Sequence, residues 1–352
     1  MFANPRVGLL LLLPFLYAYP LAAQQAQQAA PLIPPGSGRI YLDVVVTAKS
    51  GPPVAGLSQQ DFTLLDNKAP QAIASFQSFG GRDPVDVILV IDAVNTAFQN
   101  ISYARDQVDK FLRIDGGHLA HPAALAFVTD TGTEMQDGFS SDGNELVASL
   151  DQHTVALRSI RRSAGFYGAA EKYQISLSAL SSILAREVPR PGRKVIFWIS
   201  PGWPLLSGPR IEIDPKQQQQ IFGSIVSLSN LMTQARATLY SVDPLGTADT
   251  GLHAFYYMEF LKGVSEPKQA LPGDLALQVL ATQSGGLALT TNNDVTALLR
   301  KCLADTQAYY EISFDPPLPD QRTAYHHIEI RLADHKLTAR TRQGYYTQSS
   351  PH

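Results

Sequence analysis

Residues 85–92 have the sequence VDVILVID, which is the starting point for predicting the fold. Its side chains are almost continuously apolar and mostly β-branched, which is typical of a parallel strand buried on both faces of a sheet. The residues that follow have the apolar spacing of an amphipathic helix, with Phe98, Ile101, Ala104, Val108, Phe111 and Leu112 on one face. A buried strand followed by such a helix predicts the beginning of an α/β domain.

The same alternation continues along the chain. It predicts further buried strands at 123–128, 194–199, 238–242 and 287–290, a short edge strand at 134–139, and helices at 169–186, 216–235, 274–282 and 295–304. Strands that alternate with helices form a mostly parallel sheet. We therefore predict a doubly wound α/β domain over residues 83–305.

Two flanks with a period of two residues enclose this domain. Residues 39–82 predict strands at 40–47, 62–65 and 73–79, and residues 306–347 predict strands at 308–314, 324–332 and 337–342. Each flank has about forty residues, which is near the size below which an isolated core fails. We therefore expect the flanks to pair into one small β-sandwich, into which the α/β domain is inserted, with 348–352 as a tail.

The N-terminus has the features of a secretory signal peptide. Arg6 precedes an apolar run at 7–16, and the small residues Ala22 and Ala23 follow it. The run is too short to span a bilayer, so we predict a signal peptide over 1–23, although an uncleaved anchor is the alternative. Residues 24–38 are rich in Gln, Ala and Pro without a period, which predicts a flexible linker. The mature protein is expected to be secreted, periplasmic or part of the cell envelope.

Composition excludes several classes of function. The 352 residues carry a net charge of −3, so no excess of positive charge indicates nucleic-acid binding. The single cysteine rules out an intramolecular disulfide and a cysteine-based zinc or iron–sulfur site. The sequence contains no Gly-x-Ser-x-Gly motif, His-Glu-x-x-His motif or phosphate-binding P-loop.

The strand order and several phrases of the sequence resemble the von Willebrand factor A (VWA) domain. VDVILVID, AALAFVTD at 123–130 and the strand within PGRKVIFWISPGW at 191–203 carry the resemblance of the α/β part. The flanking phrases at 44–76, 309–317 and 326–346 are similar to VWFA-related proteins typical of acidobacteria. The resemblance implies a secreted or envelope protein, built on a fold used mostly for contacts between proteins.

VWA domains often carry a metal-ion-dependent adhesion site, and here its motif is degenerate. The resemblance implies Asp-x-Ser-x-Ser after the first strand, and the chain has Asp92, Val94 and Thr96 at the three named positions. It also implies Thr-Asp-Gly after a later strand, where the chain has Ser200, Pro201 and Gly202. Val94 and Pro201 remove two oxygen ligands that Mg²⁺ prefers. We expect no cofactor, or weak Mg²⁺ at Asp92 and Thr96 at most, and expect Asp92 to cap the next helix or bind loop amides.

The same loops supply the predicted binding surface. Trp203 follows a buried strand, and the long connection at 243–273 carries three aromatic residues, Phe255, Tyr256 and Tyr257. Trp and Tyr are frequent anchors of protein interfaces. With the polar residues Asp92, Asn95, Thr96 and Ser200 they form the predicted site, although the aromatic residues alternatively pack onto the sheet as a lid.

The preferred interpretation is a non-enzymatic protein that binds a partner protein, of unknown identity, through these loops. One alternative is an extracytoplasmic hydrolase without a recognisable motif. The other is a structural scaffold that binds through its β-sandwich. The sequence does not determine the ligand or the oligomeric state.

Overall fold

The structure is a computed structural model. It describes residues 38–49, 51–81, 83, 85–153, 165–204, 206, 213–246, 256–290, 292–317 and 324–347, without the side chains of 165–167, 256 and 324. The predicted signal peptide and almost all of the predicted linker therefore lie outside the described residues. No helix in the described part of the chain is long and apolar enough to cross a membrane.

The described strands and helices include the predicted elements in the predicted order, together with three short strands and one helix that the sequence did not predict. The N-terminal flank contains β1 Ile40–Ala48, β2 Phe62–Asp66, β3 Ala69–Gln71 and β4 Ser75–Gly80. The strands of the α/β domain are β5 Asp86–Asp92, β6 His118–Thr129, β7 Gly132–Met135, β8 Ser140–Asp142, β9 Lys194–Ile199, β10 Ala237–Val242 and β11 Ala288–Leu289. Its helices are α1 Phe98–Leu112, α2 Gly143–Gln152, α3 Gly165–Glu187, α4 Pro215–Gln234, α5 Leu277–Gln283 and α6 Val295–Ala304. The C-terminal flank contains β12 Ala308–Phe314, β13 Ala324–Leu332, β14 Leu337–Arg340 and β15 Gly344–Thr347.

The central sheet is doubly wound, as predicted. Its order is β11-β10-β9-β5-β6-β7, and β8 also pairs with β6. The strands from β11 to β6 are parallel, whereas β7 and β8 run antiparallel to β6. The strand order reverses between β5 and β9, so the carboxyl ends of these two strands flank the topological switch point. This VWA-like arrangement confirms the predicted fold class.

Helices cover both faces of this sheet. Side chains of α1, α2 and α6 pack on one face with Val87, Leu89 and Ile91 of β5. Side chains of α3, α4 and α5 pack on the other face with Ile88 and Val90 of the same strand. Alternate residues of β5 therefore enter two separate apolar layers, which explains why its sequence is apolar without interruption.

The two flanks form one β-sandwich, which confirms the predicted pairing. One sheet has the order β14-β1-β12-β4 and the other has the order β15-β13-β2-β3. β1 pairs with β12 so that Val44 lies opposite Tyr310, and β2 pairs with β13 so that Leu64 lies opposite Ile330. Each sheet thus contains strands from both ends of the chain, and they enclose a shared apolar core.

Charged side chains join the sandwich to the α/β domain. Arg236, just before β10, donates hydrogen bonds to Asp43 of β1 at 2.9 Å and to Glu311 of β12. The guanidinium of Arg193 lies 4.3 Å from the centre of the Tyr309 ring. These contacts fix the amino ends of β9 and β10 on the sandwich, so the carboxyl ends of the same strands lie at the far edge of the sheet.

Candidate functional site

The predicted site lies at the switch point of the central sheet. Asp92 is the last residue of β5, and Ser200 directly follows β9. These strands are adjacent and parallel, with Ile91 opposite Ile199, so the structure brings Asp92 and Ser200 to the same edge. In open α/β sheets, this is the position at which ligands usually bind.

The carboxylate of Asp92 accepts four hydrogen bonds. The backbone N–H groups of Val94 and Asn95 each donate to Oδ1 at 3.0 Å. The side-chain amide of Asn95 donates to Oδ2 at 2.7 Å, and the indole Nε1 of Trp198 donates to the same oxygen at 3.0 Å. Asp92 therefore accepts hydrogen bonds from backbone amides of the next loop, as predicted from the sequence. It also accepts hydrogen bonds from two side chains, those of Asn95 and Trp198.

Burial and hydrogen bonding act on Asp92 in opposite directions. The residue is fully buried. Burial raises the pKa of its carboxyl group above the ordinary value, and the four N–H donors limit that rise because they stabilise the anion. The four hydrogen bonds thus replace the hydration that the carboxylate loses on burial.

Ser176 completes this network, although it was not predicted from the sequence. The amide of Asn95 donates its second hydrogen bond to Ser176 Oγ at 2.8 Å, and that hydroxyl donates to the carbonyl of Lys172 at 2.8 Å. Ser176 is fully buried on α3 beside Tyr173 and Leu177. A serine on the apolar face of a predicted helix was the signal that could have identified it.

These residues do not fit a bound divalent cation. Mg²⁺ requires oxygen ligands, but the donors of Asn95 and Trp198 both point at Oδ2 of Asp92. Val94 is an apolar core residue, and Pro201 stands where the family motif has a carboxylate. The oxygens Asn95 Oδ1 and Thr96 Oγ1 have no hydrogen-bond partner among the described residues, but both are neutral, so Asp92 would supply the only negative charge among these oxygens. Elsewhere in the described chain, no three His, Cys, Asp or Glu side chains come together as metal ligands.

Ser200 stabilises its own turn. Its hydroxyl accepts a hydrogen bond from the backbone N–H of Gly202 at 3.1 Å, and the residue is fully buried. Gly202 has a φ of +116°, and a Cβ atom there would lie 2.5 Å from Nε2 of Gln278. This turn therefore packs tightly against α5 and leaves the Ser200 hydroxyl inside the protein.

The structure corrects the prediction for Trp203. Its side chain is 4% exposed and belongs to the apolar layer beneath α3, α4 and α5. Its ring meets the Trp198 ring edge to face, with 5.3 Å between the centres. Apolar contact with a second indole is more favourable than exposure to water, so Trp203 is a core residue and offers almost no surface to a partner.

The other predicted aromatic residues are described only in part. Phe255 and the side chain of Tyr256 lie outside the described residues. Tyr257 is the first aromatic residue of the connection whose side chain is described, and it is partly buried, which raises the pKa of its hydroxyl group. The predicted aromatic cluster is therefore not established as a single surface.

Two apolar side chains that the prediction did not include are exposed near the site. Phe98, the first residue of α1, is 55% exposed and follows the loop that Asp92 fixes. Leu271 is 42% exposed. Its neighbour Pro272 accepts a hydrogen bond from Tyr173 at 3.2 Å, and Tyr173 lies one helical turn before Ser176 on α3.

A second buried carboxylate lies beside Leu271. Asp274 is 5% exposed, and its Oδ2 accepts a hydrogen bond from the backbone N–H of Leu271 at 2.8 Å. Burial raises the pKa of Asp274 to about 6. Because the Leu271 N–H donates to this carboxyl group, protonation of Asp274 affects a hydrogen bond of the segment that carries the exposed Leu271 side chain.

Comparison with known proteins returns distant similarities only. No family model and no curated protein match the chain. The conserved hypothetical protein BatB from Bacteroides thetaiotaomicron is 12% identical, with a TM-score of 0.33 over 63% of this chain and 98% of that one. Manganese-loaded TRAP from Plasmodium vivax is 10% identical, with a TM-score of 0.34 over 79% of this chain and 98% of that one. The vWF domain of the type V pili tip protein Mfa5 from Porphyromonas gingivalis is 20% identical, with a TM-score of 0.22 over 40% of this chain and 50% of that one. Similarities this low carry no argument about metal, partner or activity, and the fold rests on the sheet topology.

Proposed function

We propose that this is a secreted or envelope protein whose VWA-like domain binds a partner protein without a metal ion and without catalysis. The binding surface consists of the loops at the carboxyl edge of the central sheet. The observation that carries the proposal is the exposure of Phe98, directly after a loop that Asp92 holds by three hydrogen bonds. An exposed aromatic side chain on a rigid loop is a good interface anchor because little conformational freedom is lost on binding.

The packing of the two indoles and the hydrogen bonds at Asp92 favour binding over catalysis. Enzymes of this fold class hold small substrates at the switch point. Here the rings of Trp198 and Trp203 pack against each other at the carboxyl end of β9, and the Asp92 carboxylate is already engaged by four donors. The contact with a partner therefore falls on the outer surface of the loops, where Phe98 and Leu271 are exposed.

The test compares capture by matched variants. The mature chain, from Gln24 onwards, is immobilised and exposed to envelope extract, with and without EDTA. We expect Phe98→Ser and Leu271→Ser to reduce the captured protein at least about tenfold, which corresponds to about 1.4 kcal/mol, and EDTA to have no effect. Tyr41→Ser is the control, because Tyr41 is also exposed but lies on β1 of the sandwich.

Two results would contradict the proposal. Normal capture by the Phe98 and Leu271 variants would move the binding surface elsewhere. Loss of capture in EDTA would make the interaction metal-dependent. Equal unfolding free energies of the variants and the wild type are required, and surface substitutions usually change this quantity by no more than about 0.5 kcal/mol.

A further inference from the structure

Among the described residues, none protects one edge of the β-sandwich in the usual ways. Among the described strands, β4 pairs only with β12, and all six of its residues are exposed or half-buried. Its sequence, SFQSFG, contains neither a charged residue nor a proline. In an antiparallel pair, every second residue of the edge strand directs its N–H and C=O groups away from its neighbour, so β4 directs part of its backbone groups away from β12.

The other three edges of the sandwich are protected. β3 has only three residues, one of which is Pro70. β14 has four residues and carries Arg340, whose guanidinium bonds to Asp305. β15 lies against α4, where the rings of Tyr346 and Phe222 meet edge to face. Short strands, prolines, charges and covering helices are the devices by which proteins prevent edge pairing, and β4 uses none of them.

A groove adjoins the beginning of β4. It has a volume of about 610 Å³, and its wall includes the neutral residues Gln59, Gln60, Phe62, Thr63, Gln71 and Ile73. Ile73 lies two residues before β4, and the ring of Phe62 lies 5.3 Å from the ring of Phe76 in β4. A strand added along β4 would therefore continue over the groove.

We propose that β4 and this groove bind an extended, uncharged segment of another protein by β-strand addition. Backbone hydrogen bonds to β4 would supply the affinity, and the groove would accept an apolar side chain and supply the selectivity. A charged side chain would lose hydration in the groove without an opposite charge in the wall, so the segment must be neutral there.

A second copy of this chain fits the surface less well. Two β4 strands paired antiparallel would place Gly80 of one copy beside Ser75 of the other. The chain turns directly after Gly80, where Asp83 accepts a hydrogen bond from the Gly80 N–H at 2.7 Å. The second copy would therefore leave the groove empty, whereas a longer extended segment fills both parts of the surface.

The test measures binding of fluorescent peptides to the full mature chain. The probes are nine-residue peptides with blocked ends, in which Ser or Thr alternates with Val, Leu or Phe, together with matched peptides that carry Lys or Glu at the apolar positions. We expect neutral peptides to bind at least tenfold more tightly than charged ones and to slow hydrogen exchange of the β4 amides.

Two substitutions test the contributions of the β4 edge and of the groove to binding separately. Gln77→Lys places a charge on β4, and Thr63→Lys places one in the groove wall, and each is expected to weaken binding at least tenfold. Thr338→Lys is the matched control, because Thr338 is exposed on β14 at the opposite edge of the same sheet. The Phe98 variant should bind the peptides normally, which makes this proposal independent of the loop surface.

Three results would overturn the inference. The first is that no neutral peptide of the panel binds. The second is that Thr338→Lys weakens binding as much as the β4 and groove variants do. The third is a dimer in sedimentation that Gln77→Lys dissociates, which would show that a second copy occupies the edge.

Discussion

The indole of Trp198 donates a hydrogen bond to Oδ2 of Asp92 over 3.0 Å, in the apolar layer beneath α3. Asp92 comes from the first strand of the domain and Trp198 from the neighbouring strand across the switch point. The hydrogen bond therefore connects the two halves of the doubly wound sheet at the position where ligands usually enter.

Replacing this indole should destabilise the protein more than replacing its neighbour. Trp198→Phe removes a donor from a buried carboxylate, which costs about 1–3 kcal/mol in addition to the lost volume. Trp203→Phe removes a similar volume, but Nε1 of Trp203 has no hydrogen-bond partner among the described residues. Urea unfolding of the two variants should differ by that amount, and equal midpoints would mean that the hydrogen bond contributes nothing.

Divalent cations should have little effect on stability. The N–H donors at Asp92 oppose a cation, so at about 5 mM MgCl₂ or MnCl₂ we expect the melting temperature to change by less than about 1 °C. Titration calorimetry should detect no binding tighter than millimolar. Micromolar binding that Asp92→Asn abolishes would contradict this and establish a working adhesion site.

Stability should increase as the pH falls from about 7 towards 5 because of Asp274. Its folded pKa of about 6 lies above the unfolded value of 3.8, so the folded state binds the proton more tightly. The contribution is fully present below the unfolded pKa and is lost as the pH rises through the folded pKa, and over about two pKa units it amounts to at most about 3 kcal/mol.

The variant Asp274→Asn isolates this effect. It should be more stable than the wild type at pH 7.5 and should flatten the increase between pH 7 and 5. Asp106→Asn, which changes an exposed residue of α1, is the control and should keep the wild-type profile. If Asp274→Asn retains the full pH dependence, the other buried acids with raised pKa, Asp92 and Glu187, account for it.

Removal of the C-terminal flank should unfold the N-terminal one. Deleting residues 306–352 takes away β12 and β14, which are both neighbours of β1, and β13, which pairs with β2. The amides of 40–66 should then lose protection in hydrogen exchange measured by mass spectrometry. Protection that persists in this segment would mean that the sandwich does not depend on the pairing.

A further prediction concerns cleavage of the signal peptide during export. Arg6 and the apolar run at 7–16 predict cleavage near Ala23. N-terminal sequencing of the secreted protein should begin within a few residues of Gln24. Membrane-bound protein that still begins at Met1 would favour an uncleaved anchor instead.

Elements with a strong internal pattern were predicted to the residue. The strands at 194–199, 308–314 and 324–332 and the helix at 295–304 agree with the structure. Each has an apolar pattern with clear ends, and in each the local preference agrees with the tertiary environment. The helix predicted at 274–282 begins later, at Leu277, because residues Pro272–Leu275 form a separate 3₁₀ turn.

Short strands were missed because they form through pairing with neighbouring strands and have no clear pattern of their own. β3 contains Pro70 and has little strand propensity of its own, but it pairs with β2. The four residues of β15 form a strand because they pair with β13. The predicted strand at 73–79 begins later, at Ser75, where pairing with β12 begins. α2 was also missed, although Asp142 caps it and Leu146, Val147 and Leu150 form its buried face.

The sequence predicted that Asp92 and Ser200 lie at the same edge of the sheet, but it did not predict the burial of Trp203. Chain topology places Asp92 and Ser200 together, and topology follows from the order of strands and helices. The direction in which Trp203 points depends on side chains from three helices that a linear pattern does not bring together. The local sequence places Trp203 in a turn, which favours exposure. Its burial becomes visible only in the tertiary packing with these helices.

The pairing of β1 with β12 also determines the order of events during synthesis. Val44 pairs with Tyr310, and the other neighbour of β1 is β14, so β1 has no partner strand until the C-terminal strands exist. Roughly 230 residues separate β4 from β12, and at 5–20 residues per second their synthesis takes on the order of 10–50 s. During that interval the strands of the N-terminal flank have unpaired edges, which exposes the nascent chain to aggregation. Closure of contacts this distant in sequence is also slow, so the α/β domain is expected to fold first and the sandwich last.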